Sequence, residues 1–406
     1  MKILHILSQY PDSTGSGIYL QAILREAQKK QHDSSLIAAM NIGRSPDPIT
    51  AVPGSVSLVS FGTPPLDFAL PGMSDVMPYS SSRFRDLSKE QLERYEKAFL
   101  EEIDRLITHF GPDIIHSHHL WLLSSITKLN FPKIPMLTSC HGSDLRQLQL
   151  CPHLRDRVVQ GCRNIDTILA LTAAQKDEIR ALYNIPAHRI DIVGAGFDDT
   201  LFYWSEKDEP PPVHITYCGK LSRAKGVPWL LEAIKKSNME HYQFHLIGSG
   251  QGAEKDECVT LARDLGDKLT LHGALRQDAL AAHLRKSHIF ILPSLYEGLP
   301  LVALEALACG CKVITTELPG CLEIRSQMDP ELINMVRLPR LHSLDTPHIQ
   351  DESAFIDAIC RELEKAYEAI MLRSSEKKNI TEKNIEPFTW KMVFSRIDKC
   401  YTQLVS

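Results

Sequence analysis

The sequence predicts an α/β protein of two doubly wound domains that face a central cleft, and three observations predict it. The chain has 406 residues, more than one ordinary hydrophobic core accommodates. Short apolar runs alternate with amphipathic stretches through both halves, the pattern of parallel sheets covered on both faces. Near the middle, residues 205–212 turn to Glu, Lys and Asp and end in Pro210, Pro211 and Pro212, which suit neither a helix interior nor a central strand. These bounds predict a first domain at 1–204, a linker at 205–212, a second domain at 213–386 and a terminal helix at 387–406 that crosses back to the first domain.

In chain order, strands are predicted at 3–7, 35–40, 113–116, 134–139, 168–171 and 190–193, with helices at 18–30 and 90–110. The strands at 113–116 and 134–139 are read as leading into polar loops. Beyond the linker come strands at 215–218, 243–247, 270–272, 289–292 and 312–315, and helices at 227–236, 277–285 and 300–308. An amphipathic stretch at 390–404 closes the series. Ligands of such sheets bind beyond the carboxyl ends of the strands, so motifs that follow strands carry the most weight.

Composition narrows the function classes. With 43% hydrophobic and 23% charged residues and a net charge of -5, the chain has apolar material for two cores and no basic excess, which argues against nucleic acid as a partner. No apolar run reaches the ~18 residues of a membrane span, and the opening run is too short for a signal peptide, interrupted as it is by His5 and Ser8. The ten cysteines include no Cys-x-x-Cys pair and read as reduced, buried thiols. A cytoplasmic protein is the expectation.

Four motifs follow strands. In Glu297-Gly298-Leu299-Pro300-Leu301-Val-Ala-Leu-Glu305, Pro300 is expected at a first helical position. The turn before that helix offers backbone N–H groups and a positive helix end to a diphosphate. Glu297 and Glu305 can accept hydrogen bonds from different hydroxyls of one ligand; acidic capping of a helix is the plainer explanation. Gly219-Lys220-Leu-Ser-Arg223-Ala-Lys225-Gly226 brings three cations together, either around a phosphate or as a solvated basic loop. Gly15-Ser16-Gly17 lets the backbone approach a diphosphate, or is a plain tight turn. Histidines gather at His116, His118, His119 and His141, the last in His141-Gly142-Ser143-Asp144. No zinc site is expected at 116–119, which lack a carboxylate at ligand spacing, and His116 or His118 suits a satisfied core position. Asp-x-Asp, the usual holder of a divalent ion on a nucleotide diphosphate, is absent from the sequence.

Together with Leu246-Ile-Gly248-Ser-Gly250, these motifs resemble the family-4 retaining glycosyltransferases of the GT-B fold, two Rossmann-like domains, over nearly the whole chain. The resemblance implies transfer of a sugar from a nucleotide diphosphate sugar, with a UDP-sugar favoured, to a hydroxyl acceptor without a metal or other cofactor. It implies that Lys220 and Lys225 neutralise the donor diphosphate alongside Gly15, Ser16, Gly17, Gly298, Leu299 and Leu301, and that Glu305 holds the ribose. Glu297 then contacts the transferred sugar and His141 supports the reacting centre, so that His141, Glu297 and Lys225 are the catalytic candidates.

The acceptor falls to the first domain, with His118, Asp144 and Arg146 as candidates. Acceptors in the family are small molecules, glycans or lipid-linked sugars, and His141 to Asp144 followed by Cys151-Pro-His-Leu154 resembles members that glycosylate malate or inositol phosphate. Lys220 departs from the arginine of many members, Ala195-Gly196 replaces Asn-Gly, and 324–353 is longer than usual. Peripheral membrane contact and homodimerisation stay open. The alternatives are a non-catalytic sugar-nucleotide binder and a nucleotide-sugar epimerase of the same architecture.

Overall fold

The strand β1 (Lys2–Leu7) is buried at every residue after Lys2, which places it inside a sheet covered on both faces. The computed structural model describes residues 1–12, 14–44, 56–75, 77–343, 345–372 and 385–406. The chain divides into two compact units, Met1–Ala195 with Trp390–Ser406, and Gly196–Thr389. Residues 205–212 therefore belong to the second unit.

In the first unit β1 is followed by α1 (Gly15–Lys29), β2 (Asp33–Asn41), β3 (Val56–Phe61), β4 (Pro71–Gly72), β5 (Ser82–Arg83) and α2 (Lys89–Phe110). Then come β6 (Ile114–His118), α3 (Leu122–Asn130), β7 (Met136–Ser139), α4 (Ser143–Leu150), α5 (Arg155–Cys162), β8 (Thr167–Ala170), α6 (Ala173–Tyr183) and β9 (Ile190–Ile192). The main sheet has the order β3-β2-β1-β6-β7-β8-β9, with every pairing parallel. Its longest helix shows how the sequence sets the elements. Ser88 and Gln91 cap α2 reciprocally, at 3.2 and 2.9 Å, and Gly111 ends it in a left-handed conformation. Between the caps, Leu92, Tyr95, Phe99, Ile103 and Leu106 recur at helical spacing and are buried.

The last helix, Trp390–Val405, completes this unit. The Trp390 ring stands edge-on to Tyr19 at 5.2 Å, Tyr401 Oη lies 2.6 Å from His116 Nδ1, and Arg396 donates to the Val193 carbonyl at 2.9 Å.

The second unit contains β10 (Val213–Cys218), α7 (Val227–Lys236), β11 (Tyr242–Ile247), α8 (Gly252–Arg263), β12 (Leu269–Gly273), α9 (Gln277–Leu284) and β13 (Ile289–Leu292). It continues with α10 (Leu301–Ala308), β14 (Lys312–Thr316), α11 (Pro319–Ser326), β15 (Ile333–Val336), β16 (Leu341–Ser343), β17 (Thr346–Pro347) and α12 (Ile349–Leu372). Its six-stranded sheet, β12-β11-β10-β13-β14-β15, is parallel throughout. Among the described residues no helix is long and apolar enough to cross a membrane.

Several expectations need correction. β3 was not foreseen, because Val-Ser-Leu-Val-Ser-Phe dilutes its apolar side chains with serine and only two of its residues are buried. The polar loops expected after 113–116 and 134–139 are short lead-ins to α3 and α4. Pro300 is not the first helical residue but the extended N-cap of α10. The long stretch 324–353 holds β15 and the antiparallel pair β16–β17.

Removing the α2 cap tests the local argument: Ser88→Ala should lower unfolding stability by about 1 kcal/mol in a denaturant titration, with the slope of the transition unchanged.

Candidate active site

In the second unit, two loops leave neighbouring strands and close on each other. Lys220 to Gly226 follows β10, and Pro293 to Pro300 follows β13. The Leu295 N–H donates to the Ala224 carbonyl at 2.9 Å. Gly226, at φ +73°, passes so near Pro293 that an added Cβ would lie 2.0 Å from the Pro293 carbonyl oxygen. Only glycine fits there. Closure of the loops brings Lys225 Nζ to 2.6 Å from Glu297 Oε1, an oxygen that also accepts from Ser294 Oγ at 2.8 Å. Ser294 was not singled out in the sequence, although its position three residues before a glutamate carries the signal.

Gly298 and Leu299 lead into α10, which Leu301 opens. No side chain caps that helix, so an anion can meet its first amides. Glu305 lies further along α10 and is only 4% exposed. Burial, reinforced by the negative charge of Asp198, pushes its carboxyl up to about 8. Among the described residues its carboxylate oxygens have no hydrogen-bonding side chain. Lys220 is half-buried after β10, and its carbonyl accepts from Tyr217 Oη at 2.7 Å. Arg223 turns elsewhere: its guanidinium pairs with Glu257 and lies over the Trp229 ring. Lys220 and Lys225 therefore carry the cationic part of the site.

In the first unit the expected glycine loop is the opening turn of α1. Thr14 Oγ1 accepts from the Gly17 N–H at 3.0 Å, and a Cβ on Gly17 would come within 2.8 Å of the Tyr10 carbonyl oxygen. Gly15 and Ser16 precede it in the same turn.

His141 follows β7, with Tyr19 edge-on at 4.9 Å and its Nε2 at 3.4 Å from His118 Nδ1. Desolvation holds the His141 ring down to about 3, so it is neutral at ordinary pH. Asp144 is fully buried and accepts from the amides of Leu120 at 2.7 Å and His141 at 3.1 Å. Its carboxylate thereby orients this loop. His118 is buried against His116, and Arg146 faces Asp75 at 3.9 Å. His116 has both ring nitrogens engaged, with Tyr401 at 2.6 Å and Ser139 at 2.8 Å. Nitrogens of His5, His116 and His118 lie within 4.8 Å of one another, but His116 can ligate a metal only by giving up one of these bonds.

A sequence profile described as Glycosyltransferase Family 4 matches residues 13–201, and one described as Glycosyl transferases group 1 matches 212–364. The chain belongs to this family of glycosyltransferases. A D-inositol 3-phosphate glycosyltransferase of Paenarthrobacter aurescens is 28% identical over 267 residues, 58% of this chain and 64% of the relative. The match thus spans less than two thirds of that relative's length. A sucrose-phosphate synthase from Thermosynechococcus elongatus superposes with a TM-score of 0.71 at 18% identity, covering 100% of this chain and 99% of the other. Anabaena HepE in complex with UDP-glucose gives 0.67 at 13%, covering both chains completely. These likenesses show the GT-B fold.

Two outcomes follow for this glycosyltransferase. Gly226→Ala should force the loops apart and weaken nucleotide binding by more than about ten-fold in calorimetry, because the added Cβ meets backbone rather than a side chain that can move. Acid should also destabilise the first unit. His5 and His141 are held down to about 3 by burial, and His116, His118 and His119 are pushed the same way. The unfolded chain takes up protons below about 6.5 that the folded chain refuses, so each adds about 1.4 kcal/mol of destabilisation per pH unit as pH falls from there towards the folded value. A thermal midpoint that stays flat between pH 7 and pH 5 would contradict this burial.

Proposed function

We propose that the chain is a cytoplasmic, retaining transferase that moves a hexosyl or N-acetylhexosaminyl group from a UDP-sugar to a hydroxyl acceptor without metal. The observation that carries the reading is Glu305: a buried carboxyl with no side-chain partner among the described residues, on a helix whose opening amides have no side-chain cap, in the same unit as the paired Lys225 and Glu297. Ribose hydroxyls supply the hydrogen bonds that Glu305 lacks, the α10 amides around Leu299 and Leu301 receive the diphosphate, and Lys220 and Lys225 offset its charge. Glu297, released in part from Lys225, accepts from hydroxyls of the sugar.

In this reading the first unit binds the acceptor, and His141, a neutral imidazole, is its candidate for supporting the reaction. Departure of the diphosphate leaves positive charge at the anomeric carbon, and the acceptor oxygen attacks from the face being vacated. The acceptor's proton passes to the leaving phosphate oxygen, so no protein base is required. The naming of one relative for inositol 3-phosphate supports an anionic, hydroxyl-rich acceptor, for which Arg146 is a contact.

The test uses the proton on Glu305. A ligand that donates hydrogen bonds to its carboxylate lowers a folded value of about 8, so UDP binding should release a proton fraction between about pH 7 and 8. Affinity should rise with pH through that window and level off above it. Calorimetry in buffers of different ionisation enthalpy reads the release. Glu305→Gln should abolish it, and Glu305→Ala should weaken UDP on the order of 10- to 100-fold. Unchanged affinity and transfer in Glu305→Ala would remove the site assignment. Product analysis by mass spectrometry and NMR, in chelator, identifies acceptor and anomer; a new donor epimer without acceptor would instead mark an epimerase.

A further inference from the structure

The second unit carries a group of imidazoles to which the transfer reaction assigns no role. His245 sits on β11, His272 on β12 and His283 in the last turn of α9, and one ligand nitrogen from each lies within 4.8 Å of the others. We propose that His245, His272 and His283 bind a single zinc ion that fastens the edge of the second sheet.

The geometry is close to that of a zinc site. His245 Nδ1 lies 3.1 Å from His272 Nε2, and two nitrogens bound to one tetrahedral zinc stand about 3.4 Å apart. Without metal, one proton must lie between these nitrogens. Zinc takes that place, and each ring then keeps its single proton on the nitrogen that does not bind the metal.

His283 Nε2 is buried and has no hydrogen-bond partner among the described residues, a costly state that coordination relieves. Its ring stands at 75° to His245 and 63° to His272, with centroids 4.5 and 4.8 Å away. Crossed rings let nitrogens converge on one point, as the flat stack of His116 on His118, at 20°, does not.

The ring of His245 is itself held by a neighbour. His245 Nε2 lies 3.0 Å from His214 Nδ1. With Nδ1 on the metal, Nε2 carries the proton and donates it to His214, which fixes the tautomer and orientation of the ligand. A solvent molecule completes the tetrahedron, since His272 lies on a partly exposed strand.

The structural consequence follows from the position of β12. It is the last strand of its sheet, pairs only with β11, and has no fully buried residue. Its register also slips between Leu246 and Ile247 of β11. A metal shared by β11, β12 and α9 ties this weakly packed edge to the sheet and to a helix. None of Lys220, Lys225, Glu297 and Glu305 is a ligand, so the site is structural and stands apart from the metal-free transfer.

Tag-free full-length protein, stripped with chelator and desalted, tests the proposal. Zinc titration should show uptake of a single equivalent and a thermal midpoint that climbs with zinc concentration. Cobalt(II) should give the visible absorption bands of a tetrahedral nitrogen site. His272→Gln and His283→Gln should each weaken zinc by more than about ten-fold while retaining the near-ultraviolet circular dichroism of the parent. UDP affinity should be the same in stripped and zinc-loaded protein, a readout that separates this site from the transfer reading. Zinc uptake that survives both substitutions overturns the proposal, as does uptake lost with His118→Gln but not with them. Failure of the parent protein to take up cobalt or zinc overturns it without recourse to any variant.

Discussion

The site in the second unit depends on the parallel pairing of β10 with β13, Ile215 beside Ile289 and Thr216 beside Phe290. These strands are neighbours in the sheet but lie far apart in the chain, because β11 and β12 extend the sheet one way before β13 resumes it the other way. Both strands run parallel and end at the same edge, where loops 220–226 and 293–300 meet. Parallel pairing also forces both sheet faces to be covered, which explains why β13 is an unbroken apolar run, Ile-Phe-Ile-Leu, buried throughout. In the first unit β1 and β6 stand in the same relation, Ile3 beside Ile114 and Leu7 beside His118, and the histidine-rich loops emerge there.

Where the sequence speaks in runs of Ile, Leu and Val, the fold was legible: 289–292 matched its strand and 227–236 its helix at both ends. Serine-diluted β3 escaped because periodicity is a statement about apolar side chains, and this strand buries few of them. Helix boundaries escaped for another reason. Proline at the start of α10 fits both an N-cap and a first turn, and only the backbone angles, φ -76° and ψ 101°, distinguish them. The glycine loop at Gly15 to Gly17 illustrates the same limit, since a Gly-rich opening turn and a Gly-rich loop read alike until the Thr14 cap is seen.

Within the candidate site, the motifs were legible in the sequence and the partners of their side chains were not. Three cations between Gly219 and Gly226 looked equivalent in the sequence, yet Glu257, one turn into α8, withdraws Arg223 and leaves Lys225 to meet Glu297. Such partners lie on other elements, and no spacing rule reaches them. Asp144 makes the same point. Its charge suggested a ligand contact, and its burial and two backbone donors add a second duty, as a brace of the His141 loop. Desolvation raises its carboxyl in spite of those bonds, a sign that the bonds are directed at shape more than at holding charge.

Glu305 presents the opposite case, a buried carboxyl without such donors. Its place in α10 gives no help, because the helix dipole favours negative charge only in the first turn, and Glu305 lies in the second half of an eight-residue helix. Asp198 adds repulsion, and nearby Cys218, whose thiol is pushed up to about 12, supplies no positive charge. Burial and the Asp198 charge therefore favour the protonated form up to about pH 8. Stability alone would favour an apolar residue there. Under the proposed function, what distinguishes glutamate from leucine at this position is the capacity to accept hydrogen bonds from a ligand's hydroxyls, and in a site so little exposed each such bond forms at the expense of little competing water.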